Sequence, residues 1–214
     1  MRIPLLAFTF LTVLANSSLA DCSSDVKAAF EKLRNSASFR LDTTISNEQG
    51  TLTMGVDYVL PDRMHQTVKL STSEAGAMEM ILVGDKVWSN QGQGWAEVPP
   101  AFAAAIAKQM KETVVEAPKE SSEFACLGEV EFEGKRYLAY RAKLAPPKPK
   151  GAAPIPSRQA VPASTAANLQ TVYIDKATGL PTRNIVTSEN DQSKRLFDGT
   201  FSMPQGLKIE PPKL

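Results

Sequence analysis

Apolar and polar residues alternate with a period of two along most of this chain. Phe39, Leu41, Thr43 and Ile45 alternate with Arg40, Asp42, Thr44 and Ser46, and Glu48, Gln49 and Gly50 then suit a turn. Leu52, Met54, Val56, Tyr58 and Leu60 fall on one face of the next segment, and Thr51, Thr53, Gly55 and Asp57 on the other. This spacing predicts strands with one apolar and one wet face. Pro61 and Asp62 suit a type I turn, after which Met64, Val68 and Leu70 alternate with His65, Thr67, Lys69 and Ser71. A strand over Ala77 to Val83, a tight turn at Gly84-Asp85, a strand over Lys86 to Asn90 and a turn at Gln91 to Gly94, with Trp88 on the strand before it and Trp95 on a further strand after it, complete a meander. Strand patterns resume over Phe124 to Phe132, Tyr137 to Leu144, Leu169 to Asp175, Pro181 to Ser188 and Lys194 to Ser202. Gly179 ends the turn that begins at Asp175, where a left-handed residue is needed. That makes eleven strand candidates and no detectable internal repeat.

Two segments have helical spacing. Val26, Ala29, Phe30 and Leu33 predict an amphipathic helix over residues 21–35, with Ser24 and Asp25 as candidate N-caps. Pro99 and Pro100 stop the first block of strands and suit a helix start; Phe102, Ile106 and Met110 then recur every fourth residue, with Ala103 and Ala107 beside them. Lys108, Gln109, Lys111 and Glu112 lie largely off that stripe, and the helix falls between two blocks of strands, a position from which it can cap the sheet. The fold class is α+β, a curved antiparallel sheet with helices against one face.

The first twenty residues combine Arg2, an apolar run from about Ile3 to Ala15 and the small residues Ser18 and Ala20, the pattern of a cleaved export signal. The run is shorter than the roughly 20 apolar residues of a membrane-spanning helix. Asp21 stands where a lipid-modified Cys22 would need a small residue before it. The expected organisation is a signal at residues 1–20 and a single domain over 21–214, periplasmic or secreted and soluble after cleavage. Without Arg2 the chain balances 23 acidic residues with as many basic ones, which argues against nucleic acid and against an electrostatically held membrane surface. In an oxidising compartment the two cysteines, Cys22 and Cys126, suggest one disulfide; two separate thiols are the alternative. Residues 145–166, APPKPKGAAPIPSRQAVPASTA, carry almost no large apolar side chain and read as a long loop, or as a docking segment for another envelope protein.

Candidate chemistry is sparse. His65 is the one histidine, has no nucleophile motif beside it and shares the polar face with Thr67 and Lys69. Ligand spacing for a metal and a phosphate-binding glycine loop are both missing from the pattern, so no cofactor or metal is expected. Glu129 and Glu131 share a strand face, as paired acids or as solvated surface carboxylates. The methionines are more informative. Met54, Met64, Met78 and Met80 sit in neighbouring strands and Met110 on the intervening helix. They suit ordinary core packing, yet sheet cores favour branched side chains, whereas flexible thioethers suit a surface that adapts to an apolar ligand.

The order of elements, with YVLPDRM, MEMILVGDKVWSN, GWAEVP and DKATGLPTR, resembles the LolA/LppX-type periplasmic lipoprotein-carrier and lipid-binding superfamily. The resemblance covers most of residues 21–214 and rests on turn signatures. It implies an incomplete antiparallel barrel, a half-barrel whose apolar concave face is closed by helices and holds acyl chains. The chain departs from the pattern in lacking a lipobox and in carrying the Pro-rich insertion. The resulting expectation is a non-enzymatic protein that binds or carries a lipid, a lipoprotein acyl chain or another hydrophobic ligand. Met54, Tyr58, Met64, Val68, Met78, Met80 and Leu82 from the sheet, with Phe102, Ile106 and Met110 from the helix, are the expected lining. The alternatives are an envelope interaction module, a sensor or assembly factor docking through the Pro-rich loop, and an enzyme using carboxylates around His65.

Overall fold

A computed structural model of the chain describes residues 19–47, 50–73, 76–118, 122–144 and 167–214. Most of the expected signal, the Glu48-Gln49 turn and the Pro-rich stretch 145–166 lie outside the described residues. All eleven predicted strands are present: β1 Ser38–Asn47, β2 Gly50–Val59, β3 Arg63–Leu70, β4 Met78–Val83, β5 Lys86–Asn90, β6 Trp95–Glu97, β7 Ala125–Phe132, β8 Lys135–Leu144, β9 Asn168–Ile174, β10 Pro181–Ser188 and β11 Arg195–Ser202. They form one antiparallel sheet in the order β6-β5-β4-β3-β2-β1-β11-β10-β9-β8-β7, which is not closed. The fold is an α+β curved half-barrel. Two meanders meet where β1 pairs with β11, Leu41 opposite Phe201 and Thr43 opposite Gly199. Gly84 at φ 64° and Gly179 at φ 64° occupy the left-handed positions their turns require. The Leu60–Pro61 peptide is cis, a feature its composition did not disclose.

This topology puts a helix across the sheet. The chain leaves the sheet at the β6 edge and re-enters at the opposite edge, β7. Within that connection lie α2, Pro100–Met110, and a π-helical turn, Lys111–Val115. Pro99 occupies the N-cap position and its carbonyl accepts from the N–H groups of Phe102 and Ala103 at 2.9 and 3.0 Å. Pro100 at the first helical position has no N–H to leave unpaired.

The first helix, α1, spans Leu19–Arg34, so Ser24 and Asp25 lie inside it and are not its N-caps. The polar side chains in these turns serve tertiary docking instead. Ser23 Oγ accepts from the Phe124 N–H at 2.9 Å, and Asp25 accepts from the Tyr140 hydroxyl at 3.0 Å. At the other end Lys32 Nζ donates to the Thr178 carbonyl at 2.6 Å, fixing α1 on the turn before β10. The Cys22–Cys126 disulfide is formed, with Cα atoms 5.3 Å apart, and ties α1 to the edge strand β7.

Two apolar clusters fill the face under the helices. One gathers Cys22, Val26 and Ala29 of α1 with Tyr140, Val172 and Ile174 of the sheet. The other joins Leu33 of α1 and Ala103 and Met110 of α2 to Phe39, Val56, Tyr58, Met64, Leu82 and Val87. The opposite face is not uniformly wet. Phe132 stacks on Tyr173 at 4.4 Å between ring centroids, and the guanidinium groups of Arg183 and Arg195 lie 5.7 and 5.3 Å from the Phe132 ring. The C-terminal segment also crosses this face, where buried Ile209 packs with Ile81 and Trp88. No pattern in residues 203–214 had predicted it.

Candidate functional site

The register of β2, β3 and β4 places the even-numbered residues on the helix-covered face. Tyr58 stands opposite Met64, which stands opposite Leu82; Met54 stands opposite Val68, which stands opposite Met78. The alternation on β1 joins the same face, with Phe39 opposite Tyr58, Leu41 opposite Val56 and Thr43 opposite Met54. These pairs form one apolar wall.

Of the expected lining, Tyr58, Met64, Leu82 and Met110 are buried in the cluster, and Met54, Met80 and Ile106 are partly buried against it. Val68 lies on the wall, half-buried, outside the cluster. Met78 and Phe102 do not join it, being 44% and 67% exposed. Met78 begins β4, beyond the part of the wall that α2 covers, and Phe102 sits in the first turn of α2 while Ala103 next to it turns inward. Counting every fourth residue misplaced the helix stripe by one position at its start. The wall also contains Phe39, Val56 and Val87, and Leu33 of α1, which the expected set omitted. The alternation that puts Val56, two residues from Met54, on this face was visible in the sequence; the contacts of Phe39 and Leu33 depend on strand pairing and helix docking, which a local pattern does not state.

An aromatic chain runs along this wall from helix to sheet. Phe30 of α1 meets Phe201 edge-on at 5.7 Å, Phe201 lies 6.5 Å from Phe39, and Phe39 lies 4.9 Å from Tyr58. Burial pushes the Tyr58 phenol up to about 12, a measure of how apolar its surroundings are. Few polar groups face this side. Gln66 Nε2 donates to Met54 Sδ at 3.3 Å, and the buried Thr43 hydroxyl has no hydrogen-bond partner among the described residues.

The wall is packed shut at its centre, where Val56, Leu82 and Val87 are almost wholly buried. Beside that packed centre is a cleft of about 380 Å³, between the C-terminal end of α2 with its π-helical turn and the β2–β3 and β4–β5 corners. Leu82, Ala107, Met110, Val115 and Pro61 give it an apolar lining, and Lys108, Lys111 and Asp62 stand among the lining residues.

A larger depression, about 500 Å³, lies on the opposite face among Arg40, Asp42, Thr53, Lys69, Arg183 and Asp198. Its charges largely satisfy one another. Arg40 donates to Asp42 at 3.0 Å and to Asp57 at 3.1 Å, and the absence of a Cβ at Gly55 leaves room, since one would lie 2.7 Å from Arg40 Nη2. Arg183 and Arg195 both donate to Asp198, at 2.8 and 2.7 Å, and to Glu133. His65 Nε2 lies 3.1 Å from Glu79 Oε2, in a cross-strand pair. Glu129 faces Lys176 at 3.0 Å and Arg136 at 3.6 Å, so its carboxylate is engaged in surface ion pairs. Among the described residues no three potential metal ligands gather, and no helix is long and apolar enough to cross a membrane.

No protein-family model matches the chain, and no curated protein matches it in sequence. Solved structures do match. Lipoprotein LppX of Mycobacterium tuberculosis superposes with a TM-score of 0.57 at 10% identity, over 90% of this chain and 100% of that one. LprF of Mycobacterium bovis superposes with a TM-score of 0.54 at 12% identity, over 90% and 97%. At such identities the likeness is one of architecture, and it spans nine-tenths of this chain. The chain has a LolA/LppX-like fold.

Proposed function

We propose that this protein is an exported, soluble binder or carrier of an acyl chain or another hydrophobic molecule, and that it does no chemistry on its cargo. The observation that carries this reading is the apolar cleft of about 380 Å³ opening beside the methionine-bearing wall. Its volume falls within the range of small-molecule sites, roughly 300–1,000 Å³. Met110 lines it, and Met64 and Met80 belong to the cluster behind it, so the unbranched side chains that can re-pack lie where an entering chain would need room. Each methylene taken from water contributes about 0.8 kcal/mol, so eight of them supply about 6 kcal/mol before the cost of association. Residues 1–20 supply the export signal in this reading, and a periplasmic or secreted location follows from it.

Organic extraction of natively purified protein followed by mass spectrometry tests the proposal, together with titration of a fluorescent acyl probe. A co-purifying amphiphile, and probe binding lost in Ala107→Trp while the far-UV CD spectrum is retained, are expected. An extract free of such molecules together with no probe binding by the wild type overturns it.

A further inference from the structure

The mouth of the apolar cleft carries charge on one wall. Lys108 and Lys111, three residues apart and so on one side of α2 and its continuation, line the cleft together with Ala107 and Met110. Their nearest acids lie along the same segment, Glu112 at 3.9 Å and Glu116 at 3.8 Å, beyond hydrogen-bond length. Both side chains are largely exposed, at 75% and 70%, so their ammonium groups retain open donors. Asp62 on the facing corner is the single acid among the lining residues and opposes an anion there; the lining residues alone carry one net positive charge, and Glu112 and Glu116 stand just outside them. Lysine stems cover apolar surface while their heads stay in water, which suits the border between an acyl tail and its head group.

Resting on the acyl-binding reading above, we propose that the cleft takes a single-chain anionic amphiphile, a long-chain carboxylate or an alkyl phosphate. Its tail lies along Leu82 and Met110, and its head group sits between Lys108 and Lys111. Lysines near the end of a helix also complement the helix dipole, a role that affects stability but confers no preference among head groups. Head-group selectivity is therefore the readout.

Calorimetric titration of the purified, delipidated chain with dodecanoate, dodecyl phosphate and methyl dodecanoate holds the tail constant and changes the head. At low salt at least one anion is expected to bind about fivefold or more tightly than the ester, the scale of one or two exposed ion pairs. Which anion is preferred identifies the head group. The preference should fall toward onefold in the Lys108→Gln/Lys111→Gln variant and with added salt, with ester affinity held within about twofold, and it should rise in Asp62→Asn. Equal binding of all three ligands by the wild type, or a preference that survives in the double variant, overturns the anionic assignment while leaving acyl binding intact. Failure of all three ligands to bind overturns the acyl-binding reading itself.

Discussion

Cys22, buried on α1, is bonded to Cys126 on the exposed edge strand β7, 104 residues further along the chain. The bond clamps the far end of the sheet to α1, which packs on the helix-covered face. In the chain-entropy view a loop of about 100 residues gives up to about 4.7 kcal/mol, and measured losses are commonly 2–4. Replacing both cysteines by alanine should lower the unfolding free energy by about 2–4 kcal/mol in guanidinium titrations. A thiol assay on unreduced, denatured protein should find no titratable sulfur; two thiols per chain would refute the bridge.

Leu82 and Phe102 were both expected to line the cavity, and the structure separates them, at 1% and 67% exposed. Leu82→Ala removes packing against Met64 and Val87 and should cost about 2–5 kcal/mol in urea denaturation. Phe102→Ser removes a solvated ring and should change stability by no more than about 0.5 kcal/mol. Equal losses would mean that α2 sits in a different rotation about its axis.

Asp198 holds the β10–β11 pair together through Arg183 and Arg195. Burial is the largest influence on its carboxyl and opposes ionisation, but the hydrogen bonds and charges of the two arginines outweigh it and lower the pKa. Asp175, held by the Thr178 hydroxyl and N–H, is lowered too. A carboxyl whose pKa is depressed on folding adds stability that is fully present above its unfolded value, about 3.9, and is lost as the pH falls through the folded one. Asp198→Asn should therefore cost about 2 kcal/mol at pH 7, with the difference from wild type narrowing below about pH 4. A constant difference across that range in pH-dependent denaturation would assign the cost to packing alone.

Local patterns carried most of this fold. The period of two located all eleven strands, and Gly84, Gly179 and Pro100 marked turns and a helix start for steric reasons that hold wherever those residues stand. What alternation cannot state is which strand lies beside which. The β1–β11 pairing, and with it the contact of Phe201 with Phe30 and Phe39, depends on residues some 160 positions apart in sequence. The same limit explains the site. Alternation put the methionines on one face, and only the packing of Ala103 and Met110 against Val56, Tyr58, Met64 and Leu82 shows that α2 covers that face, closing its centre and leaving a cleft at its rim. The N-caps failed for a different reason: α1 runs through both Ser24 and Asp25, and Asp25 hydrogen-bonds across the fold to Tyr140.

The C-terminal strap offers the last test, because it separates the two faces of the sheet. Ile209 covers Trp88 and Ile81 on the face away from the cleft, and Arg63 Nη1 donates to its carbonyl at 2.7 Å. Removing the Ile209 side chain in Ile209→Ser exposes Trp88, and should shift tryptophan emission to the red and cost about 2–4 kcal/mol. Arg63→Ala should cost about 1 kcal/mol, the net worth of one hydrogen bond. Strap and cleft share no residue, and sites without common partners contribute independently. Acyl-probe affinity in Ile209→Ser should therefore stay within about twofold of wild type at temperatures where both are folded. A larger change would show that β4, which carries Ile81 to the strap and Leu82 to the cleft, transmits strain between its two faces.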